Sequence, residues 1–343
     1  MFVIIIMLRY KSKLNVIETE KGIKLVKEIF TQNLEKQLKL IRVTAPKFLK
    51  TGTGIQDDLA GTCESVKFNV PDLKSDVELV HSLAKWKRIT LHEYKIQKHH
   101  GIWTDMDAIR KDEKLDDIHS IYVDQYDWEM RIERSDRTLE FLKKIVKRIY
   151  TAMRDTESKI NGKFSKLKRK LPKKITFLHT EDVYKLYPNL TPKERECAVA
   201  KEHGAVFLIG IGYPIDKENK PHDLRAVDYD DWISNSDGVH HGLNGDILVW
   251  DNVRHSVLEL SSMGIRVNSD SLTAQMKMLN FTNKKYYHEL VLNNQIPLSI
   301  GGGIGQSRLA MFLLEKIHIG EVQVSEWPVE MIKRCEEDGI KLL

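Results

Sequence analysis

At 343 residues, with 41% hydrophobic and 30% charged side chains, the chain is long enough to bury a large core in one big domain or two unequal ones, which excludes disorder as its default state. Its 54 lysines and arginines against 49 acidic residues leave a formal charge of +5, which suits an anionic ligand but is too small to argue for nucleic-acid binding by itself. Cys63, Cys197 and Cys335 are far apart and form no C-x-x-C pair, which excludes a disulfide framework and a cysteine zinc site and points to a reducing cytoplasm.

The apolar run at residues 1–7 falls far short of the ~20 residues that span a bilayer. Charge from Arg9 on interrupts it, and no small-residue cleavage site follows. It reads as part of an N-terminal extension, residues 1–17, prone to disorder, with Met7 a second candidate start. Residues 18–343 remain for the one big domain or the two unequal ones.

Ile23, Val26, Phe30, Leu34 and Leu38 recur at three- and four-residue spacing and predict a helix between Glu18 and Leu38. A short β-like run at 40–43 meets Pro46. Further strands are expected over 66–70, 78–81, 119–128, 205–211, 246–250 and 256–263. Leu139, Leu142, Ile145, Val146, Ile149 and Met153 share one helical face. Thr191, Pro192 and Glu194 have the cap, first-turn proline and third-position glutamate of a capping box, and 304–316 reads as a closing helix. Runs of strands separated by long helical insertions favour an α+β fold with a mainly antiparallel sheet flanked by helices over a doubly wound one. The basic stretch 159–174 reads as a solvated connection. Phe164 is its only ring, so an RNA-binding reading lacks the interleaved aromatics it wants.

Neither a G-x-x-x-x-G-K-[ST] loop nor G-x-G-x-x-G occurs, because Gln306 takes the last place of the latter. Gly301, Gly302 and Gly303, read as opening a helix that carries Arg308, suit close backbone approach to a flat ligand and equally a tight strand-to-helix turn. In 119–128 the two-residue period puts Gln125 and Asp127 on the face of Ile121 and Val123: either the strand leaves the core, or it floors a pocket with an amide and a carboxylate. Asp246 and Glu259 on neighbouring strands are ordinary surface acids on one reading and carboxylates for Mg²⁺ and phosphate on the other; Arg110, Arg266 and Arg308 lend weight to the second. The tract 223–232, acidic and aromatic with Arg225 near its start, reads as a mobile loop or as a grip for an ammonium group.

Together these segments resemble the ammonia-dependent asparagine synthetases, the aspartate-ammonia ligase family. The resemblance runs in order through T-A-P at 44–46, G-I-Q-D-D-L at 54–59, V-H-S-L-A-K-W-K-R at 80–88, residues 120–128, D-Y-D-D-W at 228–232, G-L-N-G-D-I-L-V-W at 242–250, residues 259–266, and G-G-G-I-G-Q-S-R-L at 301–309. It departs in detail at Asp58, where many members have asparagine, at Val227, where proline is common, and in the basic 159–174.

The resemblance implies a class II aminoacyl-tRNA synthetase-like core, a homodimer formed partly through the segment around Pro46, and ATP bound bent on the sheet. It implies conversion of L-aspartate, ATP and ammonia to L-asparagine, AMP and pyrophosphate with Mg²⁺, through β-aspartyl-AMP. By the same resemblance Arg110 holds the α-phosphate, Arg308 the γ-phosphate end, Gly303 lies at the ATP, and Asp246 and Glu259 carry the Mg²⁺. Ser82, Lys87, Asp127, Arg225, Asp230, Ser261, Ser262 and Arg266 surround the amino acid, with Lys87 and Arg266 as carboxylate partners. Asp57 is the candidate base for ammonia and Gln125 orients the carbonyl or the amine. Phe2 follows Met1 and the first cysteine is Cys63, so no cysteine stands where glutamine-hydrolysing enzymes carry theirs, and free ammonia is the expected donor. A tRNA synthetase would need a tRNA-binding module, which is not evident in the sequence; a catalytically dead regulator would not keep Arg110, Asp246, Glu259 and Arg308.

Overall fold

The structure, a computed structural model, describes residues 10–57, 59–61, 63–216 and 218–343. The apolar run 1–7 and Asp58 lie outside these. Residues 10–15 lie against the C-terminal part of the chain: the Tyr10 hydroxyl donates to Glu321 at 3.0 Å and Lys13 pairs with Glu315.

Helix α1 (Val16–Leu38) starts two residues earlier than the periodicity suggests, because Asn15 and Glu18 close a capping box at its N-terminus. It buries Val26, Phe30, Leu34 and Leu38, as that spacing requires. The chain continues through β1 (Leu40–Arg42), β2 (Phe48–Lys50), β3 (Lys67–Val70), β4 (Ser75–Leu79), α2 (Ala84–Glu93), β5 (Gly101–Ile109) and β6 (Tyr122–Arg131). Next come α3 (Leu139–Lys163), β7 (Thr176–His179), α4 (Thr180–Leu186), α5 (Pro192–His203), β8 (Ala205–Ile209), β9 (Asn244–Asp251) and β10 (Ser256–Ile265). Helices α6 (Ser269–Met278) and α7 (Tyr286–Leu292), strand β11 (Ser299–Gly305), and helices α8 (Gln306–Leu313) and α9 (Val329–Glu337) complete it.

Eight strands form one sheet in the order β1-β5-β6-β11-β10-β9-β8-β7, antiparallel except for the outermost pair at each edge. Strands β2-β4-β3 form a small second sheet. The expected α+β fold with a mainly antiparallel sheet is what forms. The glycine run differs from expectation and does not open a helix. Gly301–303 lie in β11 at the middle of the large sheet, and the helix begins only at Gln306. Strand β5 carries half-exposed acids, Asp105 and Asp107, and gives no strand signal in the sequence.

Alternate residues divide the sheet into two faces. Tyr126, Trp128 and Met130 of β6, with Leu258, Leu260 and Met263 of β10, join the main core beneath α1, α3 and α8. Gln125, Asp127 and Glu129 point the other way. On that side α2 lies against β6 and β11.

Candidate active site

A cavity of about 630 Å³ opens on the face that α1 and α3 leave uncovered. Every site residue expected from the sequence borders it except Lys87 and Asp246, which are buried just beneath its lining.

The floor depends on glycine. Antiparallel pairing sets Gly303 opposite Asp127 and Gly301 opposite Glu129. A Cβ on Gly301 would come 1.8 Å from Glu129 Oε2, so only a strand without side chains leaves room for the groups of β6. Those groups are charged. Asp127 pairs with Lys87, whose ammonium also donates to the Gly302 carbonyl at 3.2 Å, and the other, buried Asp127 oxygen has no hydrogen-bond partner among the described residues. Burial raises the Asp127 pKa and lowers that of Lys87; their mutual attraction opposes both shifts without cancelling them.

Arg266 lies fully buried beside this pair. Its guanidinium takes Glu129 at 2.8 and 3.0 Å and pairs with Asp230, while Tyr229 lies 5.7 Å beneath it. Burial lowers the Arg266 pKa, but Glu129 and Asp230 raise it well above its ordinary value. Glu129 escaped the sequence reading, although it continues the two-residue period of Gln125 and Asp127 on the same face. Tyr229, bordering the cavity between Asp57 and Asp230, escaped it too, with no distinguishing signal beyond its tract.

Of the acids in the tract 223–232 only Asp223 is exposed. Asp228 accepts from Lys85 at 2.8 Å and His288 at 2.9 Å, Asp230 takes Arg266, Asp231 takes Arg137, and all three acids are buried. Its backbone follows the end of β10, with Asp231 N–H donating to Ile265 at 2.9 Å.

On the other side of the cavity, β10 carries an irregularity with chemical consequences. Leu260 is one residue too many between β9 and β10, so the register slips there and Ser262 stands opposite Asp246. Strict alternation would send neighbours to opposite faces; the bulge lets Glu259, Ser261 and Ser262 all border the cavity. Arg225 donates to Asp246 Oδ2 at 2.5 Å, and the buried Asp246 Oδ1 has no hydrogen-bond partner among the described residues. Burial pushes the Asp246 carboxyl up to about 7, Arg225 opposing and Glu259 adding to the rise. Arg308 of α8 lies 3.5 Å from Glu259.

Three groups stand at the cavity's remaining walls. Arg110, just past β5, holds only long contacts, 3.5 Å to the His81 carbonyl and 4.0 Å to Glu113. Asp57 is buried and accepts from the Leu59 N–H at 2.9 Å. Ser82 precedes α2 and accepts from the Ala84 N–H at 3.2 Å.

A mainly antiparallel sheet whose glycine floor is ringed by four arginines and a line of carboxylates defines a class II aminoacyl-tRNA synthetase-like fold. Asparaginyl-tRNA synthetase from Pyrococcus horikoshii, solved with asparaginyl-adenylate, superposes with a TM-score of 0.65 over 90% of this chain and 70% of its own, at 14% identity. That likeness is one of fold. The chain belongs to the aspartate-ammonia ligase family (AsnA), whose profile matches residues 17–339. The aspartate-ammonia ligase of Parabacteroides distasonis is 52% identical over 97% of both chains, and that of Clostridium tetani 49% identical over 99% of this chain and 98% of its own.

Proposed function

We propose that this protein makes L-asparagine from L-aspartate, ATP and ammonia through β-aspartyl-AMP, releasing AMP and pyrophosphate. The observation that carries this reading is the full-length likeness to aspartate-ammonia ligases. Residues 18–343 act as one catalytic domain, working as a cytoplasmic homodimer assembled partly through the segment around Pro46, without tRNA. Among the described residues no helix is long and apolar enough to cross a membrane.

In the first step the aspartate side-chain carboxylate attacks the α-phosphorus and pyrophosphate leaves, so positioning and charge neutralisation dominate. Arg110, whose donors are only loosely engaged, grips the α-phosphate, and Arg308 the γ-phosphate end. Gly303 keeps the floor low beneath them. The unpartnered oxygen of Asp127, with Asp230, receives the substrate ammonium, and Lys87 and Arg266 supply positive charge for its α-carboxylate. Ser82, Arg225, Ser261 and Ser262 line the amino acid's side.

The carboxylates fit Mg²⁺: Asp246 and Glu259 share one face of adjacent strands, and Asp246 offers a buried, unpartnered oxygen. Bound there with ATP, Mg²⁺ would neutralise phosphate charge. Among the described residues no third carboxylate, histidine or cysteine joins them, which suits an ion completing its shell with phosphate and water. In the second step Asp57 attracts ammonium and takes its proton, and Gln125 orients the acyl carbonyl or the amine.

The test is release of pyrophosphate and asparagine from purified protein given ATP, Mg²⁺ and L-aspartate, with ammonium, with glutamine, or with neither. Ammonium-dependent asparagine with stoichiometric pyrophosphate supports the reading. Absence of asparagine with either nitrogen source defeats it.

A further inference from the structure

Residues 139–174 hold thirteen lysines and arginines against three acidic residues. This excess of ten lies in a chain whose total is only +5, so everything outside the stretch is net negative. Exposed Lys144, Lys147 and Lys159 share one side of α3. After α3 the chain folds back along the helix. Arg169 donates to Ser158 Oγ at 2.7 Å, the Tyr150 hydroxyl to the Pro172 carbonyl at 2.9 Å, and Arg154 to the Lys173 carbonyl at 3.0 Å. The expected solvated connection is thus pinned against α3. It lays exposed Lys168, Arg169, Lys173 and Lys174 beside the helical row as a second track.

Elsewhere in the stretch Lys143, Lys166 and Lys170 have acidic partners. Among the described residues Lys144, Lys147, Lys159, Lys168, Lys173 and Lys174 have no ion pair. Two rows of cations face solvent, the helical one interrupted by the exposed acids Glu140, which pairs with Lys143, and Asp155.

We propose that this face binds the phosphate backbone of a nucleic-acid duplex without reading its sequence. Phosphate neutralisation by lysine needs no base contact. A 25-residue helix is roughly 37 Å long, close to the ~34–36 Å of one duplex turn. A single strand would want stacking rings, and Phe164 is half-buried against the core. An anionic bilayer would want apolar anchors, and the stretch exposes no large hydrophobic side chain. The buried side of α3 lies in the core behind the sheet, so duplex binding and the cavity occupy opposite faces.

The experiment measures fluorescence anisotropy of the full-length protein with RNA and DNA duplexes of roughly 20 base pairs, long enough for the whole face, and its sedimentation with phosphatidylserine vesicles. The triple variant K144E/K147E/K159E is compared with K67E/K277E/K333E, which makes the same charge change at exposed sites elsewhere. The proposal expects duplex affinity that falls on the order of 10³-fold between about 50 and 200 mM salt, as for about six phosphate contacts. The face variant should lose at least about tenfold in affinity and about three units of log–log salt slope. The control should bind as wild type, and all three proteins should keep the same ligase activity. Duplex binding absent at low salt, equal loss in both variants, or vesicle binding in place of duplex binding would each overturn it.

Discussion

Gly303 lies directly under the carboxamide of Gln125: a Cβ there would be 2.0 Å from its Oε1. Gly303→Ala therefore pushes Gln125 out of place while leaving the backbone in an ordinary extended conformation. Overpacking of this kind costs about 1–3 kcal/mol of stability, and a catalytic group displaced by about 1 Å costs on the order of 10²-fold in rate. Thermal unfolding and kcat/KM measured on one preparation separate the two effects. Activity near wild type would mean that Gln125 does not act from its observed position.

Asp57 is assigned to ammonia and not to ATP. Asp57→Asn is expected to leave aspartate-dependent ATP–pyrophosphate exchange within about threefold, while ammonia-dependent asparagine formation falls by about 10²–10⁴, the range for a general base. Equal loss in both assays would move Asp57 to the first step.

Lys87 and Asp127 form a buried pair whose attraction does not fully offset its desolvation. Lys87→Met or Asp127→Leu alone strands a buried charge and should cost about 3–5 kcal/mol, whereas the double variant should be much closer to wild-type stability. Urea unfolding of all four proteins measures the coupling, and strictly additive losses would contradict it. All three variants should be inactive, because the substrate ammonium loses its acceptor or the floor its charge.

A pH-dependent contribution to stability comes from outside the cavity. His240 lies 2.8 Å from Asp237 and 3.0 Å from Asp182; burial lowers its pKa, but these acids outweigh that and raise it. A histidine with a raised folded pKa stabilises fully below its unfolded value, ~6.5, and loses that contribution as pH climbs through the folded value. His179, stacked 4.4 Å away, is shifted down chiefly by burial and works in the opposite sense, so a variant comparison is needed. The deficit in melting temperature of His240→Gln should be larger near about pH 5.5 than near about pH 8.5. A deficit independent of pH would exclude the ion pairs as its source.

The sequence disclosed elements wherever one periodicity ran unbroken. Helix α1 and the buried face of α3 could be read from apolar spacing, and α5 from the box of Thr191 and Glu194. Strand β5 was hidden because Asp105 and Asp107 are poor strand formers in isolation. In place Asp105 accepts from Gln306 at 3.0 Å, and Asp107 from Lys47 and Tyr122, partners remote in sequence. The glycines of β11 carry no alternation at all, so only the cross-strand partners Gln125 and Glu129 reveal why they are there. The candidate site was legible as a set of residues through family resemblance. Its internal pairing was not: nothing in the chain announces that Arg266 is already held by Glu129 and Asp230, or Asp246 by Arg225.

The extra residue at Leu260 makes the strand's tolerance of a change in length depend on where the change falls. Removing it would leave a regular ladder in which Glu259 still faces Leu248 and Ser262 still faces Asp246, two residues apart and on one side; removing a paired residue elsewhere in the strand would instead make every side chain on one side of the deletion exchange the interior for the ligand. Point substitutions can alter this wall one group at a time, whereas the loss of a paired residue away from the bulge inverts half of it at once. Variation in chain length among functional descendants should therefore gather in the loops joining strands and, within Ser256–Ile265, be confined to the bulge.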